Sequence, residues 1–163
     1  MKIINKKHTS FLIIGLLFIL FGCCKNSNTT NEQTIESIVN ESLEFSLQQS
    51  LKMAVSLKDK NSLLPKTTDR FGNLETCNSS WWVSGFFPGT LWYLYENSNS
   101  EEVKNWAIDY TLRVKDQQFT TDNHDVGFMI FCSFGNAYRL TKDKAYLEVI
   151  LNASNFMMII KKN

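Results

Sequence analysis

The sequence predicts an all-α fold of repeated helical hairpins, and three observations carry that reading. Gly85-Phe86 recurs as Gly127-Phe128 about 40 residues later, a spacing typical of helical repeats. Each pair opens an aromatic-rich helix, followed by a short polar turn and then an amphipathic helix. No segment alternates convincingly between apolar and polar residues, as a half-buried strand would. A first helix that is apolar nearly all round and a second with a single apolar face suit an inner and an outer layer. The pattern is that of an α/α toroid of the (α/α)6-barrel type, here incomplete, with about five helices.

The elements follow in chain order. Ile35, Ile38, Leu43, Phe45, Leu47, Leu51, Met53, Ala54 and Leu57 recur at helical spacing and predict one long amphipathic helix from Thr34 to about Leu57. Lys58 to Ser80 lacks periodicity, carries Pro65 and Gly72, and reads as a long loop of the kind that is often functional. Gly85 or Pro88 opens the next helix, since proline costs nothing in a first turn. Asn97-Ser98-Asn99-Ser100 ends it, and Ser98 with Glu101 has the Ser-x-x-Glu form of a capping box for the helix that follows.

In that third helix Val103, Trp106, Ala107, Tyr110 and Val114 share one face. Glu101, Glu102, Lys104, Asp109, Arg113 and Asp116 occupy the others, which the pattern assigns to solvent. Phe119 to His124 is polar and loop-like. Asp125-Val126-Gly127-Phe128 begins another helix, to about Leu140. Thr141 or Asp143 caps the last, whose buried side is marked by Tyr146, Leu147, Ile150, Leu151 and Ala153.

The first residues are better read as an address than as fold. Lys2, Lys6 and Lys7 precede an apolar run from Phe11 to Phe21, too short for a bilayer-spanning helix and laid out like a secretory signal. Leu20-Phe21-Gly22-Cys23 resembles the lipobox of bacterial lipoproteins, although Phe21 is bulkier than usual there and Cys24 follows directly. The reading is a signal peptide over residues 1–22, lipidation at Cys23, and a polar tether over 23–33. It implies a membrane-anchored lipoprotein of a bacterial cell envelope. A cleaved signal without lipid is the plainer alternative.

Loss of the three leader lysines takes the formal charge from +1 to −2, which provides no basic field for nucleic acid. Cys77 and Cys132 have no metal-ligand spacing and could form a disulfide or stay as small buried hydrophobes. The sequence leaves the oligomeric state open.

Two stretches could carry chemistry. Trp81 to Tyr95 is dense in rings and free of charge, which suits a helix core or the wall of a sugar cleft, because ring faces cover the C–H faces of pyranoses. Asp125, where a helix begins, is placed first of all to cap it by accepting from Gly127 or Phe128 N–H, and alternatively to act as a catalytic carboxylate at the mouth of a helical ring.

Taken together, Trp82-Val83-Ser84-Gly85-Phe86-Phe87-Pro88-Gly89, Leu91-Trp92-Tyr93-Leu94-Tyr95-Glu96 and His124-Asp125-Val126-Gly127-Phe128 resemble the unsaturated glucuronyl hydrolases, glycoside hydrolase family 88. Leu64-Pro65-Lys66 falls where that family also has a short proline-containing segment. The likeness runs from about Ile35 to Ser154, and makes residues 34–163 the N-terminal part of an α/α toroid domain.

The resemblance implies hydration of the 4,5 double bond of an unsaturated uronic acid at the non-reducing end of a lyase-generated oligosaccharide, without metal or organic cofactor. It matches Asp125 to one of two catalytic aspartates, His124 to the histidine lining the sugar site, and Trp82 to the tryptophan that packs on substrate. The departures are specific. Trp81 and Val83 stand where the family more often has polar residues. The family's second aspartate, its better general acid and base, has no counterpart here, and Phe156 to Asn163 replaces an arginine-containing helix end. The expectation is a truncated or frame-shifted chain with little activity alone, whose inner helices leave Phe87, Trp92, Phe131 and Phe134 without neighbours. The competing readings are an unsaturated rhamnogalacturonyl hydrolase-like enzyme and a catalytically silent glycan-binding lipoprotein.

Overall fold

The computed structural model describes residues 34–160, with side chains described through Asn155. The signal segment, Cys23 and the tether lie outside the described residues. The elements are α1 (Ile35–Ser56), β1 (Leu64–Thr68), β2 (Leu74–Cys77), α2 (Phe86–Ser98), α3 (Glu101–Leu112), a 3₁₀ turn (Lys115–Phe119), α4 (Val126–Ile130), a π turn (Phe131–Gly135), α5 (Asn136–Thr141) and α6 (Lys144–Ile160). Because α4, the π turn and α5 run on continuously, the described residues hold five helical runs. No described helix is long and apolar enough to cross a membrane.

Two hairpins organise the chain. α2 packs along α3 on one side and against the π turn and α5 on the other, while α6 closes over α4, the π turn and the 3₁₀ turn. Their shared core holds Leu91, Trp92, Tyr110, Met129, Ile130 and Phe134, all essentially buried. The Trp92 indole N–H donates to the buried Thr111 hydroxyl at 2.9 Å, which satisfies the one polar atom of that side chain.

The expected exposure of inner-helix rings is corrected here. Phe87 packs edge-on against Tyr110 and Phe134 against Tyr146, and with Trp92 all three are buried by the outer helices; of the four rings only Phe131 is exposed. The long first helix forms as expected, but only its C-terminal half packs. Ala54 and Leu57 are buried, whereas Ile35, Ile38 and Phe45 face outward. In α6 the buried positions are Val149 and Ala153, and Leu151 is exposed.

The Lys58–Ser80 loop is not without structure. β1 and β2 form an antiparallel hairpin pairing Leu64 with Cys77, Pro65 with Thr76, Thr67 with Glu75 and Thr68 with Leu74. Lys66 is the extra residue of a bulge, so inward–outward alternation is broken: Leu64 and Pro65 are both buried and the next three residues exposed. The turn is held by Asp69, whose carboxylate accepts from the N–H groups of Phe71 and Asn73, both at 2.8 Å, while Gly72 takes the left-handed conformation at φ +82°.

Two capping expectations change. Asn99 adopts the left-handed conformation that ends α2, so the extended residue before α3 is Ser100, whose hydroxyl accepts from Val103 N–H at 3.5 Å. Glu101 pairs with Lys104 instead of completing a capping box with Ser98. Asp143 does cap α6, accepting from Ala145 N–H at 2.9 Å.

Arg113 is the largest correction. Its side chain, expected in solvent, is only 4% exposed. Its guanidinium bonds Asp109 at 2.7 Å, lies 3.9 Å from the Tyr110 ring centre, and donates to the carbonyls of Leu57, Lys60 and Leu63. The end of α1 and the approach to β1 are thereby tied to α3.

Candidate active site

The segment between β2 and α2 is a series of turns that carries Trp81 and Trp82 to the surface. Asn78 accepts from the Ser80 N–H and hydroxyl, and Gln117 of the 3₁₀ turn donates to the Ser79 hydroxyl at 3.0 Å. Ser84 and Gly85 are buried behind these rings, and the Ser84 hydroxyl has no hydrogen-bond partner among the described residues.

Gly85 explains how α2 and α4 meet. A Cβ there would collide with the carbonyl oxygens of Phe128 and Met129, and a Cβ on Gly89 would lie 2.7 Å from the carbonyl oxygen of Cys132. Glycines four residues apart on one face therefore let the two backbones touch. Gly127 does not play the same part: nothing lies within 4 Å of the place its Cβ would take.

This contact assembles an aromatic corner. Trp82, Phe86 and Phe128 meet edge-on, with ring centres 5.7 Å apart for Trp82 and Phe86, 6.5 Å for Trp82 and Phe128, and 6.0 Å for Phe86 and Phe128. All three rings remain exposed by 39–50%. Rings left this accessible could cover the apolar face of a sugar.

Asp125 stands at the start of the same helical run as Phe128. Its backbone carbonyl accepts from Phe128 N–H at 2.8 Å and Met129 N–H at 3.2 Å. Its side chain, however, makes no cap hydrogen bond, which corrects the capping expectation. The reason is local: at φ −84° and ψ 4° the Asp125 backbone is not in the extended conformation of a capping residue. Asn123 accepts the Asp125 N–H at 2.8 Å, and Asp125 Oδ1 lies 3.3 Å from His124 Nε2. The His124 side chain is almost fully exposed and that of Asp125 is 23% exposed. Phe128, one helical turn after Asp125, packs on Trp82, and His124 lies beside the Asp125 carboxylate.

Cys77 and Cys132 are both free, and burial pushes each thiol above its ordinary range, so neither is an activated nucleophile. No three His, Cys, Asp or Glu side chains among the described residues are grouped to hold a metal ion. The sequence reasoning passed over two features beside the corner. One is the π turn at Phe131–Gly135, a local irregularity frequent near functional sites. The other is the bulge at Lys66, for which proline within a β-rich stretch was the available signal.

No family model matches the chain. An unsaturated glucuronyl hydrolase of Formosa agariphila is 28% identical over 157 residues, 93% of this chain and 38% of that protein. An unsaturated chondroitin disaccharide hydrolase of Streptococcus agalactiae is 28% identical over 125 residues, 74% of this chain and 30% of that protein. Among solved structures, an unsaturated glucuronyl hydrolase specific for heparin superposes with a TM-score of 0.62 at 33% identity, covering 72% of this chain and 32% of that one. The chain's homologues, in sequence and in structure, are therefore unsaturated glucuronyl hydrolases, glycoside hydrolases of the α/α toroid fold, and the chain spans about a third of their length.

Proposed function

We propose that this chain supplies the uronate-binding wall and one carboxylate of a hydrolase that hydrates the 4,5 double bond of unsaturated uronic acids at the ends of lyase-generated oligosaccharides. The observation that carries the proposal is the corner itself, where Trp82 and Phe86 meet Phe128 one helical turn after Asp125, a carboxylate that the helix does not use as a cap. In this reaction a proton adds to C4 of the vinyl ether and positive charge develops at C5, shared with the ring oxygen. Water then bonds to C5 and loses its proton, and the resulting hemiketal opens with release of the remaining glycan. Asp125 stabilises the developing cation, Trp82 packs on the sugar face, and His124 lines the sugar site and orients the carboxylate. Proton delivery to C4 is assigned to no residue of this chain.

One titration tests the proposal: unsaturated glucuronyl disaccharide is added while tryptophan fluorescence reports binding and the ultraviolet absorbance of the conjugated double bond reports turnover. Saturable binding that survives Asp125→Asn and is lost in Trp82→Ala is the expected result, with little turnover by the 163-residue chain alone. Equal binding by wild type and Trp82→Ala, or none by either, overturns it. Anchoring through a lipid on Cys23 belongs to the same proposal and is supported by the lipobox-like Leu20-Phe21-Gly22-Cys23. Incorporation of labelled palmitate that persists in Cys23→Ser would rule it out.

A further inference from the structure

The 3₁₀ turn carries two adjacent buried glutamines, Gln117 at 9% exposure and Gln118 at 4%. A side-chain amide taken out of water costs free energy unless its polar atoms are paired. Both are paired, each to a different part of the chain. Gln118 accepts from the Asn152 side-chain amide at 2.9 Å and donates to the Lys115 carbonyl at 3.0 Å, which fastens the turn to α6. Gln117 Nε2 donates to the Ser79 hydroxyl at 3.0 Å, and its Oε1 accepts from the Thr120 hydroxyl at 2.9 Å. An amide suits this place because it offers donors on one atom and an acceptor on the other, so one side chain bridges two hydroxyls.

Each of those hydroxyls leads directly to a residue of the candidate site. Ser79 stands three residues before Trp82. The chain between them is tightly turned, with Trp81 N–H donating to the Asn78 carbonyl at 3.3 Å and Ser84 N–H to the Trp81 carbonyl at 2.9 Å. Thr120 stands four residues before His124 and five before Asp125, and its own N–H is held by the Gln117 carbonyl at 3.2 Å. We infer that Gln117 is a positioning residue of the candidate site: through Ser79 it fixes the turn that carries Trp82, and through Thr120 the start of the segment that carries His124 and Asp125. Gln118 and Asn152 hold the foot of this brace on α6. The inference rests on the function proposed above and adds the support on which its binding groups depend. Gln117 acts through Trp82, His124 and Asp125, not on the sugar.

The test measures the affinity of the whole chain for unsaturated glucuronyl disaccharide by calorimetry, together with the NMR signals of the Trp82 indole N–H and the His124 ring in the free protein. Gln117→Met keeps the length of the side chain and removes both bonds, whereas Ser79→Ala and Thr120→Val remove one each. The single-bond variants should weaken binding about threefold and Gln117→Met about tenfold. Ser79→Thr and Thr120→Ser keep the hydroxyls and should bind as wild type does. Adding Ser79→Ala to Gln117→Met should change nothing further, because the shared bond is already gone. Thr111→Val, which lowers stability in the core, should leave affinity and both signals in place. If Gln117→Met melts lower yet binds like wild type with both signals unmoved, the brace is structural only and the inference is overturned, while loss of binding in Trp82→Ala keeps the proposed function. If Gln117→Met does not fold, the Ser79 and Thr120 variants decide, and unchanged affinity and signals in Ser79→Ala and Thr120→Val overturn the inference. If wild type binds no disaccharide, the proposed function falls and the NMR signals decide on the brace alone: movement in the Gln117, Ser79 and Thr120 variants but not in Thr111→Val upholds it, and no movement overturns it.

Discussion

Gly85 meets the Met129 carbonyl with no side chain between them, so α2 and α4 are joined backbone to backbone directly behind the aromatic corner. The contact positions Phe128 against Trp82 and is the least forgiving of side-chain volume. Gly85→Ala places a methyl group into two backbone carbonyls and should cost about 3 kcal/mol, the upper end of overpacking penalties. Gly127→Ala is the control. Its Cβ meets nothing, and alanine is the better helix former, so stability should be unchanged or raised by about 0.5 kcal/mol. Denaturant unfolding of both variants checks the pair, and a Gly85→Ala protein as stable as Gly127→Ala would refute the close approach.

A second prediction concerns Arg113. Three backbone carbonyls, a carboxylate and the Tyr110 ring surround a guanidinium whose side chain is 4% exposed. Lysine has the charge but not the planar fork needed to reach Asp109 and the carbonyls together. Arg113→Lys should therefore lose about 2 kcal/mol, and Arg113→Met more, because carbonyls at the end of α1 are then left without their donor. Amide exchange provides the specific readout: protection should fall first in residues 57–64 and in β1, ahead of α2. Uniform loss of protection would mean that Arg113 supports the core generally and does not set the hairpin's position.

Residues whose burial follows helical spacing were readable without coordinates. Val103, Ala107, Tyr110 and Val114 recur at that spacing and all are buried. Arg113 was misread because charge was equated with solvent, and nothing in its own helix reveals three carbonyls contributed by a turn some fifty residues earlier. The β-hairpin was hidden because the bulge at Lys66 destroys the alternation by which strands are recognised. At the candidate site, Trp82 and Asp125 were singled out from their motifs, but that Asp125 does not cap its helix depends on a backbone conformation, φ −84° and ψ 4°, that has no periodic signature.

A third prediction follows from the Trp92 indole, which is fully buried and donates to the Thr111 hydroxyl. Thr111→Val conserves shape and removes the acceptor, leaving a donor without a partner in the core. The cost should be about 2 kcal/mol, the desolvation penalty of an orphaned polar group. Thr111→Ser keeps the hydroxyl and loses only a methyl group, and should cost about half as much. If valine proves no worse than serine, the hydrogen bond contributes little and packing alone holds the indole.

The last prediction is a pH dependence. Arg139 donates to both Glu96 oxygens, at 2.6 and 2.7 Å, and so ties α5 to α2 across the surface. The hydrogen bonds from Arg139 hold the Glu96 carboxyl below its ordinary value of 4.5. A carboxylate whose pKa is depressed on folding contributes stability that is fully present above the unfolded value and is lost as pH falls through the folded one. Wild type should therefore exceed Glu96→Gln in melting temperature at neutral pH, and the gap should close in acid below about pH 4, the range in which an unfolded glutamate protonates. Both side chains are exposed, so the gap should be small and should shrink with added salt. Melting temperatures of the two proteins across pH 2–8 at two ionic strengths decide the matter. A gap that widens in acid, or that salt leaves untouched, would show that Glu96 acts through packing instead of through its charge.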